Sequence, residues 1–386
     1  MAKHAALFIV LACFFAPAAY AAPPAKAAAH YERGIQLKRA NRMADSAAEL
    51  RAAIAADPKY MQAHYALGWV YRALGKPDAA IEAFREVIRL EPHSPEAVEA
   101  ARAIQRIRLG TTAAASAPST IAFASARQGN TDIYVMDLNG ENLRRITQDP
   151  AVDDSPAWSP DGRRLAFVSE RDGNREVYLC DSSGGNLQRI TDNPAVDDHP
   201  VWSPDGLRIA FESNRGGNMD VYVVAVDGTG LQQITFSPAD DWMGDWDPRG
   251  SRIAILSLRD QVSKVYIINT DGSFPRRLVE NTVPEGRPVW SGDGRFVYFT
   301  WNFDRNYQVC RADVDGRGLA NVTRSPFDER LCDVSKDGKR ILVTSNRDND
   351  EELYVVEMDT GAARRITSNP GADLHGVFQP PIGVGQ

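Results

Sequence analysis

The stretch WSPDGRRLAF, from Trp158 to Phe167, recurs almost unchanged 44 residues later as WSPDGLRIAF, from Trp202 to Phe211. Each copy joins two short apolar runs through a turn in which proline fixes φ and glycine takes a left-handed conformation. Later copies read WDPRG, WSGDG and VSKDG, so only the last glycine is kept throughout. A turn requires that glycine, whereas a catalytic motif would not tolerate the other changes. The stretch is therefore predicted to be a β-hairpin.

The same period runs through the whole C-terminal part of the chain. Copies begin at Ile121, Leu165, Ile209, Ile253, Val297 and Ile341. Each copy contains four short alternating strands separated by polar loops and glycine-rich turns, which is typical of a propeller blade. The last segment, ending at Phe378, resembles an inner strand without a blade of its own, so it is expected to pair with the first copy and close the ring. Residues 121–380 are predicted to form a six-bladed β-propeller, followed by a short tail, 381–386.

Residues 27–109 follow a different pattern, which is helical and repeats every 34 residues. Gly34 and Gly68 share one register, and Pro58 and Pro92 share another. The pattern predicts two helical repeats, 27–60 and 61–94, and a capping helix that opens with Ser94 as its N-cap and Pro95 in its first turn. Residues 110–120 are small and uncharged and are predicted to be a linker. The predicted fold class is multidomain α and β, with all-α repeats followed by an all-β propeller.

The second helical copy, MQAHYALGWVYRALGKPDAAIEAFREVIRLEPHS, closely resembles the tetratricopeptide-repeat family through Leu67-Gly68, Tyr71, Gly75, Ala80 and Phe84. In that family the first helix of each repeat lines a groove that holds an extended peptide. The resemblance implies that an apolar peptide binds a groove formed by Tyr31, Ile35, Lys38, Tyr65, Trp69 and Arg72. The alternative is that Tyr65 and Trp69, one helical turn apart, belong to the core.

The propeller repeat PVWSPDGLRIAFESNRGGNMDVYVVAVDGTGLQQIT, from Pro200 to Thr235, resembles the repeat of TolB-type propellers. That family works in the Tol–Pal system of the bacterial envelope. The resemblance implies envelope proteins or peptides as partners, including peripheral association with outer-membrane lipoproteins. The helical repeats are a departure, since TolB carries a small α/β domain in that place.

Every propeller copy carries an acid just before its innermost strand: Asp153, Asp197, Asp241, Glu285, Glu329 and Asp373. An arginine stands in the loop at the same end of five copies, at Arg127, Arg171, Arg215, Arg259 and Arg347, with Phe303 in the sixth. One interpretation is a set of carboxylate–arginine clamps: 153 with 171, 197 with 215, 241 with 259, 329 with 347, and 373 with 127. Glu285 lacks an arginine in this register.

The other interpretation is that this end of the propeller, called the mouth below, binds a basic partner segment or a cation. The ring acids would then act together with Asp154, Asp198, Asp240 and Asp328. Calcium is the cation that an oxygen-rich ring suits, and no other cofactor is predicted. His199 and His375 share a register near the mouth, but they stand two blades apart and give a transition-metal site little support.

Residues 1–21 carry a lysine, an apolar run and a final Ala-Tyr-Ala, which predicts a signal peptide cleaved near Ala21 and a periplasmic location. A lipid anchor at Cys13 is the alternative. No later segment has the length of a membrane helix, and the net charge of −7 argues against nucleic-acid binding. Cys180, Cys310 and Cys332 allow one internal bridge at most, and the pairing of Cys310 with Cys332 is left open.

The sequence contains no GxSxG, HExxH or Walker motif, so no enzyme activity is predicted. The leading hypothesis is a non-enzymatic periplasmic scaffold that binds partner peptides through the helical groove and the propeller mouth. The alternative is a propeller enzyme, of lyase or hydrolase type, that acts on a small envelope substrate at the mouth.

Overall fold

The computed structural model describes residues 23–40, 42–92, 94–111, 120–303, 306–348, 351–369 and 371–381. The predicted signal peptide lies outside the described residues, as do positions 112–119 of the linker and 382–386 of the tail. No helix in the described part of the chain has both the length and the hydropathy that crossing a bilayer requires. The chain divides into two compact units, residues 1–90 and 91–386.

The first unit consists of two helical hairpins, as the 34-residue period predicted. Its helices are α1 (Ala25–Arg39), α2 (Met43–Ala56), α3 (Met61–Ala73) and α4 (Pro77–Leu90). A Cβ atom at Gly34 would lie 2.8 Å from the Leu50 side chain, and one at Gly68 would lie 2.6 Å from the Phe84 ring. The two repeat glycines therefore allow the paired helices to cross closely.

The fifth helix, α5 (Pro95–Thr111), falls in the second unit. It begins as predicted, because the Ser94 hydroxyl accepts the backbone N–H of Ala97 at 3.0 Å. Its role as a cap for the helical repeats stays a prediction.

The rest of the second unit contains six four-stranded antiparallel sheets. The first blade contains β1 (Thr120–Ser125), β2 (Asp132–Asp137) and β3 (Arg144–Arg145). The second contains β4 (Asp153–Trp158), β5 (Arg164–Ser169), β6 (Glu176–Asp181) and β7 (Gln188–Arg189). The third contains β8 (Asp197–Trp202), β9 (Arg208–Ser213), β10 (Asp220–Ala225) and β11 (Gln232–Gln233).

The fourth blade contains β12 (Asp241–Trp246), β13 (Arg252–Ser257), β14 (Lys264–Asn269) and β15 (Arg276–Arg277). The fifth contains β16 (Val289–Trp290), β17 (Phe296–Phe303), β18 (Asn306–Asp313) and β19 (Ala320–Asn321). The sixth contains β20 (Glu329–Val334), β21 (Arg340–Ser345), β22 (Glu352–Glu357) and β23 (Ala363–Arg365). The last strand, β24 (Asp373–Phe378), returns to the first blade.

The ring closes as the sequence predicted. β24 pairs with β1, with Ile121 opposite Phe378 and Ser125 opposite Asp373. The chain therefore contributes its last strand to the first blade, where it pairs with the inner edge of β1.

The core lies between neighbouring sheets. Ala124 and Val135 of the first blade, for example, pack with Phe167 and Tyr178 of the second. The repeated tyrosines are buried as predicted, at Tyr134, Tyr178, Tyr222, Tyr266 and Tyr354. The thiols of Cys180, Cys310 and Cys332 are free, so the bridge that the sequence left open is not formed.

The WSPDG stretch is a turn. Gly162 and Gly206 have φ of +69° and +72°. The Ser159 hydroxyl donates to Asp161 at 2.6 Å and accepts the N–H of Arg164 at 2.9 Å. These bonds close the hairpin between β4 and β5 at the end of the propeller opposite the mouth.

Candidate functional site

Five carboxylate–arginine clamps hold the mouth loops, as the spacing predicted. Arg171 donates to the two oxygens of Asp153 at 3.0 and 3.1 Å and to the Ser169 hydroxyl at 2.8 Å. Arg215 binds both oxygens of Asp197 at 2.8 and 2.7 Å. The other three clamps are Arg259 with Asp241, Arg347 with Glu329, and Arg127 with Asp373 across the ring closure. Each clamp ties a mouth loop to the inner strand of its own sheet.

Each clamp arginine also packs on the buried tyrosine of its blade. The guanidinium carbon lies 4.9 Å from the ring centroid of Tyr178 for Arg171, and 4.9 Å from that of Tyr222 for Arg215. A cation over an aromatic face adds a favourable contact to the ion pair. The repeated tyrosine and the repeated arginine are therefore parts of one packing unit.

In the fifth blade, a lysine from the neighbouring blade takes the place of the missing arginine. Lys264, on β14, is fully buried, and its Nζ lies 3.7 Å from Glu285 Oε1 and 2.6 Å from Asn281 Oδ1. Glu285 also accepts the N–H of Val265 at 2.7 Å. Burial raises the pKa of Glu285 and lowers the pKa of Lys264. Glu285 is thus not an unpartnered acid, although the sequence shows no arginine for it.

The ring acids themselves are out of reach of a partner. Five of them have no exposed surface, and Glu285 is 4% exposed. An arginine of the same sheet binds the carboxylate in five of the six, so a calcium ion at the predicted ring would have to compete with five guanidinium groups. The partly exposed acids of the predicted surface are Asp154, Asp198, Asp240 and Asp328.

A second network, which does not repeat from blade to blade, joins the inner strands at the mouth. Arg175, in the loop between β5 and β6, binds Asp198 at 2.9 Å and lies 3.5 Å from Asp154. The Nδ1 atom of His375, on β24, lies 2.7 Å from Asp154 Oδ1. This network therefore links three neighbouring inner strands, β24, β4 and β8.

Glu212 extends the network to the other side of the mouth. It lies on β9, is 2% exposed, and binds Arg287 through two bonds of 2.9 and 3.0 Å. It also accepts the N–H of Met243 at 2.9 Å. Burial alone would raise the pKa of Glu212, but Arg287 and His199 beside it lower that pKa to about 2. The carboxylate is therefore ionised at neutral pH.

His199 lies between two carboxylates. Its Nδ1 atom is 3.0 Å from Asp198 Oδ1 and 3.1 Å from Glu212 Oε1. The backbone is left-handed here, with φ of +47°, and the pairing of β8 with β9 shifts between Asp198 and Val201. The ring lies 5.3 Å from the ring of His375. The two imidazoles come from strands two blades apart, as expected, yet the bulged inner strands bring them together, which sequence reasoning did not anticipate.

The residues that sequence reasoning missed are those that break the repeat. Glu212 stands where the other copies have Ala124, Val168, Leu256, Thr300 and Thr344. Arg175 stands where they have Thr131, Met219, Ser263, Tyr307 and Glu351. The sequence did contain a signal for them. Glu212 and Arg175 are charged, whereas most other copies have an apolar or small residue at the same register.

The aromatic side chains of the predicted helical groove pack against the core of the first unit and are also partly exposed to solvent. Tyr31 and Ile35 pack against the core of the first unit, and the Tyr31 ring lies 5.1 Å from Tyr60. Trp69 lies edge-on to Phe84 at 5.2 Å and is half-buried. The remaining groove residues are Lys38 and Tyr65, both half-buried, and Arg72, which is exposed and lies 5.3 Å over the Trp69 ring.

Comparisons with known proteins agree with this architecture. Residues 31–95 match the family model of the tetratricopeptide repeat. Residues 99–191 and 154–245 match the family model of the TolB beta propeller domain. A segment of 45 residues is 44% identical to the Tol-Pal system protein TolB of Geobacter sulfurreducens, covering 12% of this chain and 10% of that protein.

Two solved structures have a similar fold. TolB from Acinetobacter baumannii matches with a TM-score of 0.62 and 21% identity, over 74% of this chain and 73% of that one. An oligogalacturonate lyase in complex with manganese matches with a TM-score of 0.50 and 17% identity, over 64% of this chain and 74% of that one. At these identities the likeness shows the fold alone.

Proposed function

Because this chain joins tetratricopeptide repeats to a TolB-type six-bladed β-propeller, we propose that it is a non-enzymatic scaffold for protein–protein interaction in the bacterial cell envelope. It works in the periplasm and holds one partner peptide in the helical groove and another at the propeller mouth. The name of the Geobacter relative, a Tol-Pal system protein, supports an envelope role.

The observation that carries the proposal is the pairing of charges at the mouth. The described ring acids are paired with arginine or lysine, and each of Asp154, Asp198 and Glu212 lies within 3.5 Å of an arginine and of a histidine. A general acid or base must be able to exchange a proton with a substrate. Side chains held in ion pairs serve better as a rigid surface than as proton donors.

In this proposal the partner contacts the half-buried acids of the mouth that lie outside the network of Asp154, Asp198 and Glu212. Asp240 accepts the N–H of Met219 at 2.9 Å, and Asp328 accepts the N–H of Tyr307 at 2.8 Å. Both side chains keep some exposed surface. We propose that they bind a basic segment of a partner and that Trp69 and Tyr65 bind an apolar peptide in the helical groove.

Crosslinking in living cells, followed by identification of the captured proteins, tests the proposal. Asp240→Asn with Asp328→Asn is expected to abolish capture of one partner, and Trp69→Ala to abolish capture of another. The matched control is Glu141→Gln, an exposed acid in a turn at the opposite end of the propeller. Unchanged capture by all variants, or recovery of the protein in the cytoplasmic fraction, contradicts the proposal.

The alternative hypothesis, a propeller enzyme with its active site at the mouth, predicts a different experimental result. It predicts that the purified protein converts an envelope oligosaccharide or peptide and that the conversion depends on the mouth network. Turnover of such a substrate by the full chain, lost in a mouth variant that remains folded, would favour the enzyme over the scaffold.

A further inference from the structure

We propose that Asp198, His199 and Glu212 form a site for one divalent transition-metal cation, such as Zn²⁺ or Mn²⁺, at the propeller mouth. The site goes beyond the scaffold function and does not depend on it, since it needs no partner. All three residues belong to the third blade, on the adjacent strands β8 and β9.

The donor atoms have the separation of ligands around a common ion. His199 Nδ1 lies 3.0 Å from Asp198 Oδ1 and 3.1 Å from Glu212 Oε1. One donor atom from each of the three side chains lies within 4.8 Å of the other two. Ligands at about 2.1 Å from a shared cation are themselves roughly 3 Å apart in tetrahedral or octahedral geometry.

The imidazole nitrogen at the centre of this group lacks an ordinary hydrogen bond. Among the described residues, His199 Nδ1 is a buried polar atom without an acceptor in hydrogen-bonding geometry, although two carboxylate oxygens lie within contact distance. Buried polar atoms are almost always satisfied. The two carboxylate oxygens already accept hydrogen bonds, from the His199 N–H and from Arg287, so a cation at this point would supply the partner that the nitrogen lacks.

The charges of the network favour a cation at this point. Asp154, Asp198 and Glu212 bring three negative charges, and Arg175 and Arg287 bring two positive ones. One negative charge is left over when His199 and His375 are neutral. A divalent cation bound by the three side chains would compensate this charge, since buried charges are paired or coordinate metals.

The surrounding residues suit a transition metal better than calcium. Calcium takes six to eight oxygen ligands, whereas a set of one imidazole and two carboxylates suits Zn²⁺ or Mn²⁺. Arg175 and Arg287 hold the two carboxylates in place, as outer groups around metal sites commonly do. The ring of His375 lies 5.3 Å from that of His199, so a second imidazole borders the site.

Metal titration of the full chain tests the proposal. The protein is purified without a polyhistidine tag, stripped with a chelator and titrated calorimetrically with Zn²⁺, Mn²⁺ and Ca²⁺ in separate experiments. We expect one equivalent of Zn²⁺ or Mn²⁺ to bind and to raise the Tm, and Ca²⁺ to bind at least tenfold more weakly. X-ray absorption of the zinc-loaded protein is expected to show imidazole and carboxylate ligation.

The decisive variant is His199→Asn. Asparagine tolerates the left-handed backbone at this position, so the chain is expected to fold while zinc affinity falls at least tenfold. His30→Gln is the matched control, because His30 Nδ1 lies 2.7 Å from Glu49 in the first unit and, within the described part of the chain, belongs to no cluster of three possible ligands. It is expected to bind zinc like the wild type.

Three outcomes overturn the proposal: no uptake of Zn²⁺ or Mn²⁺ by the wild type, unchanged affinity in His199→Asn, or ligation by oxygen atoms only. Circular dichroism in metal-free buffer shows whether His199→Asn is folded. If it is not, Asp198→Asn takes its place, since the amide oxygen can still accept the N–H of His199 that Asp198 binds at 2.7 Å.

Discussion

The clamp arginines are predicted to stabilise the propeller mainly by neutralising a buried charge. Arg215→Met keeps part of the packing on Tyr222 but leaves the fully buried Asp197 without its cation. Breaking a buried ion pair by removing one partner costs about 3 kcal/mol or more. The free energy of unfolding from urea titration should fall by about this amount, and Asp197→Asn in the same chain should recover part of it. Arg163→Met, at an exposed turn position, is the control and should be neutral.

The buried lysine of β14 is predicted to be coupled to Glu285. Lys264→Met should destabilise the chain by about 2 kcal/mol, because Glu285 loses the only positive charge described within 4 Å of it. Adding Glu285→Gln should restore most of that loss, and the double-mutant cycle measures the coupling. Additive effects of the two substitutions would show that the pair does not interact. Lys339→Met, at an exposed position, should leave the free energy of unfolding unchanged.

These single residues show what the sequence could and could not predict. Asp197 and Arg215 belong to a clamp whose two halves recur at fixed positions, so the 44-residue period is enough to locate them. Lys264 and Glu212 each occur once, at registers where the other copies differ. Averaging over copies hides such residues. The contact of Glu212 with His199 also lies at the bulge of β8, which no spacing in the chain encodes.

At the level of secondary-structure elements, the closing strand β24 is held by an acid as well as by its pairing with β1. Asp333, on β20, accepts the N–H of Phe378 at 2.8 Å and that of Val334 at 2.7 Å. Burial raises the pKa of Asp333 to about 6, although Lys336 and the two N–H groups act against this shift. The sequence predicted the pairing of β24 from its register, but it gave no sign of this acid between two inner strands.

The raised pKa of Asp333 predicts a pH dependence at the ring closure. The folded state holds the proton more tightly than the unfolded state, so the stabilisation is complete below about pH 4, the pKa range of an unfolded aspartate. It is lost as the pH rises through about 6. The difference in the free energy of unfolding between the wild type and Asp333→Asn should therefore decrease from pH 4 to pH 6.5. A difference that stays constant over this range, measured by urea titration at each pH, would show that the pKa is ordinary.

For the whole molecule, the division into two compact units predicts two separable unfolding transitions. Phe84 is fully buried in the first unit, where it packs against Gly68 and Trp69. Phe84→Ala should cost that unit about 3 kcal/mol, because it leaves a cavity beside the closest helix crossing. Only the transition of the helical unit should then move to lower temperature.

Two optical signals separate the units in this experiment. Ellipticity at 222 nm follows mainly the helices, and near-ultraviolet dichroism follows mainly the propeller, since six of the seven tryptophans lie there. Phe84→Ala should shift the first signal and leave the second in place, and Arg215→Met should do the reverse. A single transition that moves in both variants and at both wavelengths would mean that the two units unfold together. The helical repeats would then depend on the propeller for their stability. Such dependence is plausible on physical grounds, because arrays of this kind usually need at least three repeats to be stable alone and this chain has two.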